Sequence, residues 1–317
     1  MNIAKKENIS HDELRNIEGT GLQGRVTKKD VLSYLEDRKS KKISTPQKEE
    51  VKKEDKTERK EKVSGAPAPS FSPSDVKTTP PSEGVEKIPM DNIRMKIMDH
   101  MVASRDTSVH VTSMIEVDMT RVHNFIREKK EEYQQRDGVK LTYMAFLSQA
   151  CVKAIKEYPL INSTIDGNTI FKKKYVNLGI AVAIEPTGLI VPNIKGADQL
   201  NLVGLAKAIN DLAHKSRNKK LTPDDISGGT FTLTNYGVFG TVFGTPIINQ
   251  PEVAILGVGA VIKKPVVISV DGSDTIAIRH IMSLTLAHDH RLIDGMLGGL
   301  FLKYIKDTLE NFDPDTI

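Results

Sequence analysis

Hydrophobic and polar positions change their rhythm twice along the chain, and each change marks a different kind of segment. In the first, apolar residues recur at helical spacing in short bursts: IAKKENI, then Ser10 as an N-cap before HDELRNI, then the glycine-broken GTGLQGR, then Thr27 capping KKDVLSYLEDR. This predicts a miniature all-α unit over residues 1–37, with too little core for catalysis and a size suited to docking. From 38 to 86 large apolar residues nearly vanish, as in KEEVKKEDKTERKEKVSGAPAPSFSPSDVKTTPPSEG, which leaves little to offset the entropy of ordering. A mixed-charge run followed by Pro, Ser and Thr predicts an extended, semi-stiff linker.

From 87 to 317 two periods alternate. Ile93 to Ala103 and Thr120 to Tyr133 read as helices, while VHVTSMIEVD between them has period two, with Val111, Ser113, Ile115 and Val117 on one face. Met144, Leu147, Cys151, Ala154, Ile155 and Tyr158 return to helical spacing. VNLGIAVAI and GLIVPNI follow, then a helix over 201–218, then FTLTN, VAILGVGAV, PVVISV, TIAIRH and IMSLTLAH as β-rich segments, and a last helix over 294–310. DGSD joins two of the strands as a hairpin turn. Strands and helices in this order predict one α/β domain whose sheet is covered by helices.

Composition adjusts this picture in a few places. The 45 basic and 41 acidic residues are interleaved rather than gathered into a stripe, so a net charge of +4 does not point to nucleic acid. Cys151 is the only cysteine, which excludes an intrachain disulfide and suggests a reducing compartment, bacterial cytoplasm or an organelle matrix. It sits on the apolar face of a predicted helix and reads as core rather than nucleophile. No apolar run reaches the ~18 residues that span a bilayer, and MNIAKKENIS lacks the apolar stretch of a secretory signal.

Chemistry concentrates in TLAHDHRLIDGMLGG, where a β-rich segment ends at His290 and a helix begins near Asp294 and Gly295. Three readings of His290 compete: a structural histidine, a metal site with His288 and Asp294, or a general base, for which imidazole has the right pKa. The metal reading lacks further His or Cys ligands nearby. Asp294, four residues from the histidine, reads as an orienting anion, with Arg94 as its candidate partner and Arg291 as the alternative. No Gly-rich phosphate loop is evident.

Taken together, HRLIDG from His290 to Gly295 and the upstream SGGTFTLTNYGVFGTVFGTPIINQPEVAILGVG resemble the dihydrolipoamide acyltransferases, the core component of 2-oxo acid dehydrogenase complexes. The resemblance covers 87–317, and HRLIDG matches the family's His-x-x-x-Asp-Gly signature. GTGLQGRVTKKDVLSYL separately resembles a peripheral subunit-binding domain, truncated before its first helix. The resemblance implies an α/β fold, a chloramphenicol-acetyltransferase-like two-layer sandwich with a mixed sheet, preceded by the small all-α binding module. It implies that His290 takes the proton from the coenzyme A thiol for attack on an S-acyl-dihydrolipoyl thioester, and that Thr234 stabilises the oxyanion. Arg127, Thr142, Thr234 and Asn235 fall on coenzyme A contacts, whereas Ala183 in VAIEP stands where some relatives carry an acidic residue.

The same resemblance implies a homotrimer, with His290 of one chain facing Thr234 of its neighbour, assembled into a larger hollow core. The lipoyl group is expected on another domain or chain. The 2-oxo acid dehydrogenase and dihydrolipoamide dehydrogenase components are expected to dock on residues 1–37, where Arg25, Lys28 and Lys29 suit electrostatic contact. TNYGVFGT and TPIINQP lean toward succinyl-type or general bacterial versions. Two rival readings are a non-catalytic scaffold that recruits partner enzymes and an antibiotic O-acetyltransferase, the latter at odds with a docking module.

Overall fold

The computed structural model describes Asp30 and residues 84–184 and 188–314. The chain divides into two units, 1–80 and 81–317, and the expected binding module and nearly all of the expected linker lie outside the described residues. The second unit opens with α1 (Asn92–Thr107), β1 (His110–Asp118), α2 (Thr120–Asp137) and α3 (Tyr143–Glu157). Next come β2 (Ser163–Asp166), β3 (Thr169–Lys172), β4 (Leu178–Ile180), β5 (Val182–Ile184), β6 (Gly188–Ile190) and β7 (Asn193–Ile194). α4 (Leu202–Arg217), the short α5 (Pro223–Ile226), β8 (Phe231–Asn235), β9 (Ala254–Val270), β10 (Ser273–Asp289) and α6 (Gly295–Glu310) complete it. Among the described residues no helix is long and apolar enough to cross a membrane.

Six strands form a mixed sheet in the order β1-β10-β9-β8-β4-β7, with β8 parallel to β4 and β9 and the other pairings antiparallel. The α/β class and the mixed sheet agree with the sequence. α6 lies against β1 and β10, α4 against β5 and β7, and α3 joins the two helices. This makes a helical layer on the sheet, with Phe231 of β8 edge-on to Phe301 of α6 at 5.6 Å. Each such ring, fully buried, contributes roughly 1.5–3 kcal/mol.

Helix boundaries follow caps. Asp91 accepts from the Arg94 N–H at 2.6 Å, Asn201 from Gly204 at 2.9 Å and Asp294 from Leu297 at 2.8 Å, each satisfying a donor that the first helical turn leaves open. Cys151 is fully buried, and burial pushes its thiol far up, so it is a core residue.

The four expected β-rich segments after 253 are two continuous 17-residue strands. Pro265 does not break β9, because β8 pairs with it only as far as Val258 and leaves that side of the strand open beyond. On β1, Ile115 and Val117 turn inward as expected, but Val111 at the strand start is 37% exposed.

Candidate active site

β10 ends at Asp289, so His290 is the first residue of the turn that leads to α6. Two bonds fix that turn against the start of β1: the His290 N–H donates to the Val109 carbonyl at 2.8 Å, and the Val109 N–H donates to the Asp289 carboxylate at 3.3 Å. Asp289 is fully buried and also receives the Arg291 N–H at 3.1 Å and the Arg291 guanidinium at 2.7 to 3.1 Å. Burial works against its charge, yet the bonds from Arg291 and Ser108 prevail and hold its pKa below the ordinary value. The imidazole of His290 is exposed, and its ring nitrogens have no partner among the described residues. A turn clamped at its backbone thus presents a ring with an open lone pair.

His288 and His290 divide the competing readings between them. His288 is fully buried; desolvation lowers its pKa, opposed by its bond to the Leu286 carbonyl and reinforced by the neighbouring His290. It is a neutral core histidine, 6.0 Å from His290 ring to ring. Among the described residues no group of three His, Cys, Asp or Glu is placed to hold a metal ion.

Asp294 occupies a different role from the one expected. Its carboxylate caps α6, where the helix dipole and a free N–H both favour an anion. Arg291, the alternative partner, goes to Asp289 instead, because a buried carboxylate has more to gain from a guanidinium than an exposed one. Arg94 is exposed, and among the described residues it does not reach Asp294. The anion that shapes the turn is therefore Asp289. The Asp-His-Arg order in LAHDHRL signals it, since residues i and i+2 around a strand end can share one ion pair.

Thr234 and Asn235 stand at the far end of β8, half-buried after the buried Phe231, Thr232 and Leu233. The Asn235 side chain accepts from the Gly237 N–H at 2.9 Å and turns the chain. Tyr236 then lies back over the sheet, its hydroxyl 2.7 Å from that of Thr285 and donating to the Gly244 carbonyl at 3.3 Å. Gly257 makes this possible: a Cβ there would sit 2.4 Å from Thr285 Oγ1 and 2.7 Å from the tyrosine ring. Sequence reasoning did not single out Tyr236, Gly257 or Thr285, although a glycine inside a strand signals such a close approach. Among the described residues the Thr234 hydroxyl has no hydrogen-bond partner, so its proton is available to a ligand.

Arg127 lies on α2 and Thr142 at the start of α3, two helices that pack together. Thr142 caps α3 without a side-chain bond, and the next residue, Tyr143, bonds through its hydroxyl to His123 of α2. His123 stacks on His280 at 3.7 Å. Burial lowers its pKa, and the charges of His280, Arg127 and Lys263 add to the effect. This positive neighbourhood suits phosphate groups.

His290 and Thr234 of one chain do not meet. Thr234 is opposite Gly257, and Gly257 is opposite Thr285, so Thr234 is level with a residue five positions before His290 and two strands away. At ~3.3 Å per residue and ~4.8 Å per strand, the two are roughly 19 Å apart.

Residues 82–316 match the family model of the 2-oxoacid dehydrogenases acyltransferase (catalytic domain). The chain is 38% identical over 309 residues to the lipoamide acyltransferase component of the branched-chain alpha-keto acid dehydrogenase complex of Bacillus subtilis, covering 96% of this chain and 69% of that one. It is 36% identical over 316 residues to the dihydrolipoyllysine-residue acetyltransferase component of the pyruvate dehydrogenase complex of Corynebacterium glutamicum, covering 99% and 43%. A succinyltransferase component of the 2-oxoglutarate dehydrogenase complex of Buchnera aphidicola is 35% identical over 307 residues, covering 96% and 69%. The chain thus spans between 43% and 69% of the length of these relatives.

Two similar solved structures are the dihydrolipoamide acetyltransferase of Azotobacter vinelandii and a cubic core of a pyruvate dehydrogenase multienzyme complex. Each has a TM-score of 0.68 and 35% identity, and the match covers 74% of this chain and 98% of the other. The Azotobacter enzyme was investigated for the role of a serine, a histidine and an asparagine in its catalytic mechanism, the last two standing four positions apart.

Proposed function

The chain belongs to the 2-oxoacid dehydrogenase acyltransferase family, and we propose on that footing that it moves an acyl group between a dihydrolipoyl thiol and coenzyme A, one copy lending His290 and a neighbouring copy lending Thr234. The offset of five residues and two strands between these side chains carries the two-copy part of this reading. His290 takes the proton from the coenzyme A thiol through its open ring nitrogen. The sulfur adds to the thioester carbonyl, and the Thr234 hydroxyl donates to the oxygen as it gains charge. When the bond to the dihydrolipoyl sulfur breaks, His290 returns the proton to that leaving group. A general base of this kind supplies about 10²–10⁴ in rate, and an oxyanion donor about 10²–10³.

Three observations support the assignment. His290 and Asp294 have the separation of the histidine and asparagine investigated in the Azotobacter enzyme, and Thr234 offers a hydroxyl, as the serine there does. Val109 and Val111 beside the His290 turn are exposed apolar residues, as are Val238, Phe239 and Phe243 after Thr234, and such surfaces favour burial against another copy. A related core is a cubic assembly, which suits a trimer as the building unit. Arg127 and Thr142 would hold the phosphate end of coenzyme A, with Thr234 and Asn235 at the thiol end. Residues 1–37 would recruit the dehydrogenase partners, and the lipoyl arm would come from another domain or chain.

Subunit mixing tests the reading. Reassembled alone, His290→Ala and Thr234→Ala should each lose nearly all acyl transfer between dihydrolipoamide and acyl-CoA. An equal mixture of the two should regain about a quarter of the wild-type sites, since half of the sites receive an intact histidine and half of those an intact threonine. A mixture as inactive as its parts would refute shared sites, and a wild-type chain without turnover would leave only the scaffold reading.

A further inference from the structure

The β2–β3 hairpin, the glycines before β8 and the loop leading into β9 border a cleft of about 630 Å³, the size of a small-molecule site. Neither His290 nor Thr234 is among its lining residues. Its lining includes buried polar side chains that the protein leaves half-served. Glu252, 2% exposed, receives Asn249 Nδ2 on Oε1 at 3.2 Å, while its Oε2 has no partner among the described residues. Asn193, 5% exposed, leaves its Oδ1 without a partner in the same way.

Both side chains crowd Gly229, where a Cβ would lie 2.5 Å from Asn193 Oδ1 and 2.9 Å from Glu252 Oε1. Only glycine lets them come so close. A buried acceptor without a donor costs about 1–3 kcal/mol, and native proteins keep few of them.

The rest of the lining narrows the chemistry of an occupant. Lys173, its ammonium held by the Thr164 hydroxyl, stands close enough to Glu252 for the two charges to attract. Phe171, Ile226 and Pro251 add apolar surface. A cationic ligand would be repelled by Lys173 and an anionic one by Glu252. A neutral group with N–H donors and a carbonyl acceptor satisfies both.

We propose that this cleft binds a neutral carboxamide on a flat apolar body, its N–H groups directed to Glu252 Oε2 and Asn193 Oδ1, its carbonyl to Lys173, and its body against Phe171 and Ile226. The assignment rests on residues other than those proposed for acyl transfer.

Saturation-transfer NMR on the assembled protein at pH 8 tests it, with benzamide as probe and benzoate and benzylammonium as controls of the same shape. Benzamide should bind, and both controls should bind at least tenfold more weakly. Glu252→Gln should weaken benzamide at least tenfold, because Asn249 holds the new side-chain oxygen and turns its NH2 toward the ligand's own donors. Lys173→Met, on the half-buried wall, should weaken it several-fold and serves if Glu252→Gln fails to fold. The proposal is overturned if benzamide does not bind wild type, if either control binds as tightly, or if affinity is the same in wild type and in the folded variants.

Discussion

Asp289 and Glu252 are two carboxylates buried almost equally, 0% and 2% exposed, and the protein treats them in opposite ways. Asp289 accepts from two backbone N–H groups and a guanidinium, and stays charged although burial opposes it. Burial raises the pKa of Glu252 to about 7, against the hydrogen bond from Asn249 and the attraction of Lys173. Donor supply works against burial in setting the charge state of a buried acid, and prevails at Asp289 but not at Glu252. The fully served carboxylate fixes the turn that carries His290, while the half-served one borders a cleft.

The largest expected effect isolates what the Asp289 turn is for. His290→Ala should lower kcat for acyl transfer by about 10²–10⁴ and leave Tm unchanged, because the ring is exposed and only its backbone is clamped. A large loss of Tm would mean that the imidazole itself holds the turn.

Arg291→Met should come next. It strands a buried charge, and breaking such pairs costs about 3–5 kcal/mol when both partners are buried; with the Arg291 side chain 40% exposed, roughly 2–3 kcal/mol is expected. Stability from Asp289 is present above its unfolded pKa and is lost as pH falls through the lower folded value. Urea titrations across the acid range should therefore show a shallower acid decline in Arg291→Met than in wild type, and a kcat below wild type as the turn loosens.

The smallest effect belongs to Glu252. Its folded pKa lies above its unfolded one, so the folded state holds the extra proton and stability declines as pH rises from the ordinary carboxylate range to about 7, then levels. Glu252→Gln should remove that decline, measured as Tm against pH. An unchanged profile would show that another group titrates.

Much of this architecture is legible in the residue pattern. The expected helix over 294–310 is Gly295–Glu310 and that over 201–218 is Leu202–Arg217, because apolar spacing and capping residues act within one turn of chain. The DGSD turn is present, with Asp271 and Gly272 both at positive φ. The β2–β3 hairpin was not anticipated, although Gly167, at φ 55°, marks the turn between β-branched runs in STIDGNTIFK.

In the site, the motif placed His290, Thr234 and Asn235 at element ends, where the structure has them. Partners across the fold were out of reach. That Arg291 turns to Asp289 rather than Asp294 depends on which acid is buried, and burial is decided by strands distant in sequence. The Glu252 cleft escaped notice for the same reason, since Asn193, Gly229 and Glu252 meet only once β9, β8, β4 and β7 are assembled in one sheet.

The register that separates His290 from Thr234 has a consequence for abundance. On the proposed two-copy reading, an isolated chain would hold both halves of the machinery and no working centre, so turnover in a dilute sample would be governed by association before chemistry. Scarcity alone would then silence the protein, and crowding it into a large particle would keep every copy at work.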